Sequence, residues 1–132
     1  MKKELKGKLE RLGITIVYLF GSKATGRGSP LSDVDIGVVL KEVPSGKEHR
    51  DIYHNLYKLF TEMYSSPKLD IVFLQEAALS LRYSAVREGK ILFESDPNFT
   101  ADYEHRVMNQ YLDFRPILDY FDKAAMERYA KA

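Results

Sequence analysis

The stretch ITIVYLFGSKATGRGSPLSDVDIGVVL, residues 14–40, decides the fold. Residues 14–20 are β-branched, aromatic or leucine on both faces, which predicts a central strand covered on both sides. Residues 21–32 are rich in Gly, Ser and Pro and predict a loop, with room for one helical turn at 22–25. Residues 34–40 predict a second strand. It should run antiparallel to the first, because the connection is too short for a useful crossover helix.

Helices and strands alternate on either side of this pair. The predicted elements are a helix over 2–12 ended by Gly13, a helix opening at 44–48 with Ser45 and Glu48 spaced as a capping box, a strand over 68–74, a helix over 76–88 and a strand over 90–94. This order predicts an α/β fold: a mixed β-sheet of about four strands flanked by helices. Residues 1–132 are expected to form a single domain.

A long helical stretch is predicted after the last strand. Asp96 is placed to cap it and Pro97 to occupy its first position. Apolar side chains then recur at i, i+3 or i+4 to the end of the chain, and Pro116 should kink the helix because it lacks a backbone donor. A straight helix would measure about 50 Å, which exceeds a domain of this size. It must therefore fold back at Pro116 to cover its own sheet, or overhang and offer a surface to a protein partner.

Composition excludes several classes of protein. The 132 residues include no cysteine, so disulfides and thiolate metal sites are impossible. A formal charge of +1 does not suggest direct binding of nucleic acid. The basic start Met1-Lys2-Lys3 is not followed by the apolar core of a signal peptide, and no run approaches the roughly 18 apolar residues of a membrane span. A protein located in the cytoplasm is expected.

Three aspartates are the candidate metal ligands. Asp33 and Asp35 lie two apart at the start of a strand, so their carboxylates should share one face with Gly37, which would leave room beside them. Asp70, on a later strand, is the third. Adjacent ionised carboxylates repel unless a cation lies between them, and Mg²⁺ prefers oxygen ligands together with substrate phosphates. Two such ions would support displacement at phosphorus, and Asp70 could accept the proton of an attacking hydroxyl.

The turn before these acids is the candidate triphosphate site. Gly21 would let the backbone approach phosphate, Ser22 would offer a hydroxyl and an N–H, and Lys23 or Arg27 could screen phosphate charge. Two other phosphate motifs fail here. A P-loop requires Lys and then Ser or Thr after its second glycine, where this chain has Arg27 and Gly28, and the dinucleotide fingerprint lacks its third glycine.

The segment LFGSKATGRGSPLSDVDIGVV resembles the G-S-x10-D-x-D signature of DNA polymerase β-like nucleotidyltransferases. The small size and the tail YLDFRPILDYFDKA resemble the minimal nucleotidyltransferases, the antitoxins of HEPN/MNT toxin–antitoxin pairs. In this resemblance Gly21 and Ser22 match the triphosphate-binding pair and Asp33 and Asp35 the metal-binding pair. Asp70 matches the third carboxylate by its position on a strand.

The resemblance implies AMP transfer from ATP, with two Mg²⁺ ions, onto a tyrosine of a HEPN ribonuclease toxin in a hetero-oligomer. The chain itself lacks the Arg-x4–6-His motif of the nuclease, because only three residues separate Arg50 from His54. Two alternatives stay open: an antitoxin that neutralises by direct binding without catalysis, and a small-molecule, antibiotic-type nucleotidyltransferase. A template-directed polymerase is disfavoured, since no basic face is available for a duplex.

Overall fold

A computed structural model of the chain describes residues 2–21, 34–64 and 68–131. The elements in chain order are α1 (Lys3–Arg11), β1 (Ile14–Phe20), β2 (Val34–Leu40), α2 (Gly46–Met63), β3 (Leu69–Phe73), α3 (Leu79–Glu88), β4 (Lys90–Glu94) and α4 (Pro97–Lys131). None of the helices in these ranges has a stretch long and apolar enough to cross a membrane.

The four strands form one mixed sheet in the order β3-β2-β1-β4. Strand β1 is antiparallel to both of its neighbours, and β3 is parallel to β2. The predicted bounds of the first two strands and their antiparallel pairing are confirmed. All seven residues of β1 are buried, as expected for a strand covered on both faces.

Helices cover the two faces of the sheet with separate apolar clusters. On one face α1 contributes Leu9, and α2 contributes Leu56 and Phe60. On the other face Ala85 of α3 and Tyr103 of α4 belong to the second cluster. The strand residues alternate between the two clusters; Val17, Leu19, Ile36 and Val38 lie in the first and Ile16, Tyr18, Phe20 and Val39 in the second.

Two local predictions were wrong. Strand β3 ends at Phe73 and is followed by a 3₁₀ turn at Leu74–Glu76, so α3 begins later than the predicted 76. The cause is tertiary: the Gln75 amide exchanges hydrogen bonds with the backbone N–H and C=O of Leu40, which holds this segment against the end of β2. Ser45 is the N-cap of α2, but its side chain makes no capping hydrogen bond, so the capping box does not form.

The long C-terminal helix is present as predicted. The Asp96 side chain accepts a hydrogen bond from the Asn98 N–H at 2.9 Å, which confirms it as the cap. Helix α4 is a single bent helix of 35 residues that contains Pro116 and ends at Lys131. It does not fold back as a second helix. Its first half packs on the sheet through Tyr103 and Val107, while large apolar side chains after Tyr111 are exposed. Of the two sequence-based alternatives, the overhang is the one observed.

Candidate functional site

Two of the three predicted carboxylates meet at one end of the sheet. Asp35, the second residue of β2, lies opposite Phe20 on β1 and opposite Asp70 on β3. Adjacent strands are about 4.8 Å apart, and directly paired residues project from the same face. The parallel pairing therefore brings together two aspartates that are widely separated in sequence.

Gly21 also lies at this end of the sheet, next to the carboxylate of Asp35. It follows the last residue of β1 and has φ +79°, a conformation that favours glycine. A Cβ built on Gly21 would overlap Oδ2 of Asp35 and lie 3.4 Å from its Cγ. The predicted triphosphate-turn glycine and the predicted metal-ligand carboxylate are thus in direct contact, and any side chain at residue 21 would displace the carboxylate.

The donor set fits a hard divalent cation. Asp35 is half-buried, Asp70 is exposed, and both offer carboxylate oxygens, the ligand type that Mg²⁺ prefers. Within residues 2–21, 34–64 and 68–131 no three His, Cys, Asp or Glu side chains cluster as a complete metal site would require. Asp33, which the sequence adds to this pair, lies outside these ranges.

The other predicted site residues also fall outside the described part of the chain. They are Ser22, Lys23 and Arg27, together with the helical turn expected at 22–25. Their roles stay predictions from the sequence.

Gly37 does not leave open space beside the carboxylates. A Cβ at this position would lie 3.1 Å from both δ-carbons of Leu74, so the leucine fills the room that the missing side chain provides. The glycine is needed for packing of the 3₁₀ turn on β2. The sequence could not indicate this, because the turn reaches β2 only through the tertiary fold.

A buried tyrosine on the same face was missed by sequence reasoning. Tyr18, directly opposite Gly37, is fully buried, and its hydroxyl donates a hydrogen bond of 2.8 Å to Oε1 of Glu104 on α4. Burial and the Glu104 carboxylate raise the pKa of Tyr18 well above its ordinary value, so the phenol stays a neutral donor. This bond connects the central strand to α4, and because the partners are 86 positions apart in sequence, no local signal indicates it.

Comparison with known proteins adds a family to this geometry. The family model described as "Polymerase beta, Nucleotidyltransferase" matches residues 3–98, which include all four strands and the candidate site. No curated protein matches the chain by sequence.

Several solved structures share the fold. One described as a toxin–antitoxin with AMP-PNP is 20% identical, with a TM-score of 0.71 over 92% of this chain and 98% of its own. The toxin–antitoxin MntA–HepT is 18% identical, with a TM-score of 0.64 over 95% and 99%. A tri-AMPylated HEPN toxin of Shewanella oneidensis in complex with MNT antitoxin is 20% identical, with a TM-score of 0.52 over 92% and 98%. Because these likenesses cover 92–95% of this chain, they extend into α4, beyond the family match.

Proposed function

Because this chain belongs to the polymerase beta nucleotidyltransferase family, we propose that it is an antitoxin that transfers AMP from ATP to a tyrosine of a HEPN ribonuclease toxin. The observation that carries the proposal is the pairing of Asp35 with Asp70 beside Gly21. Solved neighbours described as toxin–antitoxin complexes, one of them a tri-AMPylated HEPN toxin with MNT antitoxin, support a HEPN toxin as the acceptor protein.

Each candidate residue has a role in this proposal. Asp33, Asp35 and Asp70 hold Mg²⁺, which when bound neutralises charge on the phosphates. Gly21 and Ser22 present backbone and hydroxyl groups to the triphosphate. Lys23 and Arg27 screen the charge of its outer oxygens.

The reaction is a displacement at the α-phosphorus of ATP. The tyrosine hydroxyl oxygen forms a bond to this phosphorus, the bond from phosphorus to the oxygen bridging the α- and β-phosphates breaks, and pyrophosphate leaves. We assign the uptake of the hydroxyl proton to Asp70, because its carboxylate is exposed and therefore accessible to an acceptor protein. The reaction requires ATP, and we propose that the protein carries it out in the cytoplasm.

A surface on α4 supports a stable complex with the toxin. Phe114, Ile117 and Phe121 are 51%, 50% and 61% exposed. On a helical projection they continue the stripe through which Tyr103 and Val107 pack on the sheet. We call these three residues the distal α4 patch. An apolar face that extends past its own domain is typical of a protein-binding surface, so we propose that the toxin covers it in a hetero-oligomer.

The experiment is transfer to a HEPN protein in the presence of ATP and Mg²⁺, followed by mass spectrometry of that protein. We expect added masses of AMP, abolished by EDTA. Asp35→Asn and Asp70→Asn should each lower the rate by at least about 10–100-fold, the loss typical of disturbing even the outer partners of a metal site. Asp51→Asn, an exposed position on α2, is the matched control and should transfer normally. Normal transfer by Asp35→Asn would refute the metal assignment.

A second candidate is neutralisation by binding alone, which the distal α4 patch favours. The two are separated by expressing Asp35→Asn together with the toxin. Protection that survives this substitution would show that contact is sufficient, whereas loss of protection with retained binding would show that AMP transfer is required. Adenylation of an antibiotic in the absence of any protein partner would instead support the small-molecule alternative.

A further inference from the structure

A second cleft lies at the opposite end of β2 from Asp35. Leu40 lies five positions after Asp35 along the extended strand, a distance of roughly 17 Å. The cleft has a volume of about 350 Å³ and lies between the end of β2, α3 and α4. The residues that line it include Leu40, Lys41, Gln75, Arg82, Tyr103 and Arg106. None of its lining residues belongs to the candidate nucleotidyl-transfer site.

Three cations from three different elements converge on this cleft. Lys41 follows β2, Arg82 is on α3 and Arg106 is on α4. No carboxylate is among the described residues that line it. Across residues 2–21, 34–64 and 68–131 the ion pairs are His49–Glu76 and Arg115–Asp119, so none of the three cations is neutralised by an acidic side chain there.

Two buried polar atoms of residues that line this cleft have no hydrogen-bond partner in the described part of the chain. They are Nε of Arg82 and the hydroxyl of Tyr103, whose side chain is only 7% exposed. Buried polar groups are almost always paired, because leaving one unpaired costs free energy. Both atoms carry a hydrogen that they can donate, so a ligand bound in the cleft should offer hydrogen-bond acceptors.

The protonation state of the Tyr103 hydroxyl is suited to donating a hydrogen bond to a ligand. Burial raises its pKa to about 12, although the guanidinium groups of Arg82 and Arg106 act in the opposite direction. The phenol is therefore protonated at neutral pH and donates to an anion rather than repelling it.

The walls of the cleft are formed before any ligand arrives. The Gln75 side chain is hydrogen-bonded to both backbone groups of Leu40, which fixes the wall at the end of β2. Tyr103 and Val107 belong to the apolar cluster between α4 and the sheet. The volume is within the range of small-molecule sites, which are generally preformed and present a few fixed polar groups.

We propose that this cleft binds phosphate, as the free dianion or as a phosphate monoester, with Arg82 and Tyr103 donating to its oxygens and Lys41 and Arg106 balancing its charge. Phosphate fits better than a single carboxylate, because its oxygens can accept from donors on several sides and a guanidinium matches two of them at once. The site is independent of nucleotidyl transfer, so the failure of either assignment leaves the other standing.

The test follows the Nε–H resonance of Arg82 by NMR, assigned by its loss in Arg82→Lys. The full chain in EDTA is titrated with sodium phosphate at constant ionic strength, with sodium chloride as the reference. We expect a saturable shift of this resonance and a higher melting temperature in phosphate. A shift of the same size in chloride, or no shift in phosphate, would overturn the proposal.

Variants separate binding from folding. Tyr103→Phe removes an unpartnered hydroxyl, so it should melt no lower than the parent protein, yet bind phosphate about tenfold more weakly, the loss expected for one hydrogen bond to a charged group. Arg82→Gln should weaken binding at least as much. Arg50→Gln, an exposed position on α2, removes the same charge away from the cleft and should bind as the parent does. Equal losses in the Arg50 and Arg82 variants would reduce the effect to net charge and refute the site.

AMP serves as the second probe and distinguishes the source of the phosphate. A saturable Arg82 shift with both AMP and inorganic phosphate supports the site, and tighter binding of AMP would identify a monoester as its ligand. A shift with AMP and none with inorganic phosphate would mean that the nucleoside is recognised, which contradicts the proposal.

Discussion

At the residue scale, Gly21 at the end of β1 contacts the carboxylate of Asp35 at the start of β2. Gly21→Ala should have two costs. The positive φ disfavours alanine by about 1–2 kcal/mol, and the new Cβ would also push the Asp35 carboxylate aside. We expect AMP transfer to fall by at least about tenfold, because a catalytic group displaced by about 1 Å can lose more than that.

Gly13→Ala is the matched control for this prediction. Gly13 has φ +81°, but a Cβ there would meet nothing within 4 Å. This variant should lose about 1–2 kcal/mol of unfolding free energy while keeping its transfer rate. Denaturant unfolding and the transfer assay measure the two effects separately. Equal rates in the two variants would show that the contact with Asp35 does not matter.

Individual residues also show how far the site could be predicted. Asp35 and Asp70 could be named as candidates, because carboxylates at strand ends near a Gly-Ser turn are rare enough to stand out in a sequence, and the structure pairs them. The basic cleft was not found, because Lys41, Arg82 and Arg106 come from three elements and none has an unusual neighbour in the chain. A site whose residues form a short motif can be predicted from the sequence, whereas a site whose residues are brought together only by tertiary packing cannot.

At the element scale, the second half of α4 offers the clearest prediction. The double variant Phe114→Asp, Phe121→Asp places charge in the distal α4 patch, where burial by a partner would desolvate it. We expect toxin binding to weaken by about 2 kcal/mol or more, the size of a binding hot spot. Stability should change by less than about 0.5 kcal/mol per site, because both side chains are exposed.

The control for this prediction is Lys123→Asp, which adds an acid at an exposed position on the other side of the same helix. The affinity of each variant for the toxin is measured by calorimetry or by a surface-based binding assay. Unchanged affinity in the double variant would exclude the patch from the interface.

The elements differ in how well their sequences predicted them. Strands β1 and β2 match their predicted bounds because the apolar run of β1 lies between Gly13 and Gly21 and that of β2 ends at the charged pair Lys41 and Glu42. The segment 74–78 does not, since it takes its shape from Gln75 bonding to Leu40, a contact outside its own sequence. Asp96 capped its helix as predicted, whereas the Ser45 side chain did not, although both have the residue type of a cap.

At the scale of the whole molecule, the sheet separates the structural cluster under α1 and α2 from the candidate site on its other face. Leu56→Ala should lower the free energy of unfolding by about 2–5 kcal/mol, because Leu56 is fully buried in the first cluster. Leu112→Ala is the same chemical change at a side chain that is 53% exposed and should cost less than about 0.5 kcal/mol.

Denaturant unfolding measures both values, and AMP transfer is then assayed well below the melting temperature of the weaker variant. We expect the transfer rate of Leu56→Ala to match that of the parent, since its side chain lies on the face away from Asp35 and Asp70. A loss of rate as large as the loss of stability would mean that the two faces are not separable.

The parallel pairing of β2 with β3 also has a consequence for the timing of folding. The β1–β2 pair joins strands that are close in the chain, but β3 arrives only after the 18-residue helix α2 has crossed over. Contacts between distant residues form more slowly, because a long loop must first be closed. A chain emerging from the ribosome therefore contains Gly21 and Asp35 before Asp70 has been synthesised. Its candidate site becomes complete only once the third strand has been made and docked.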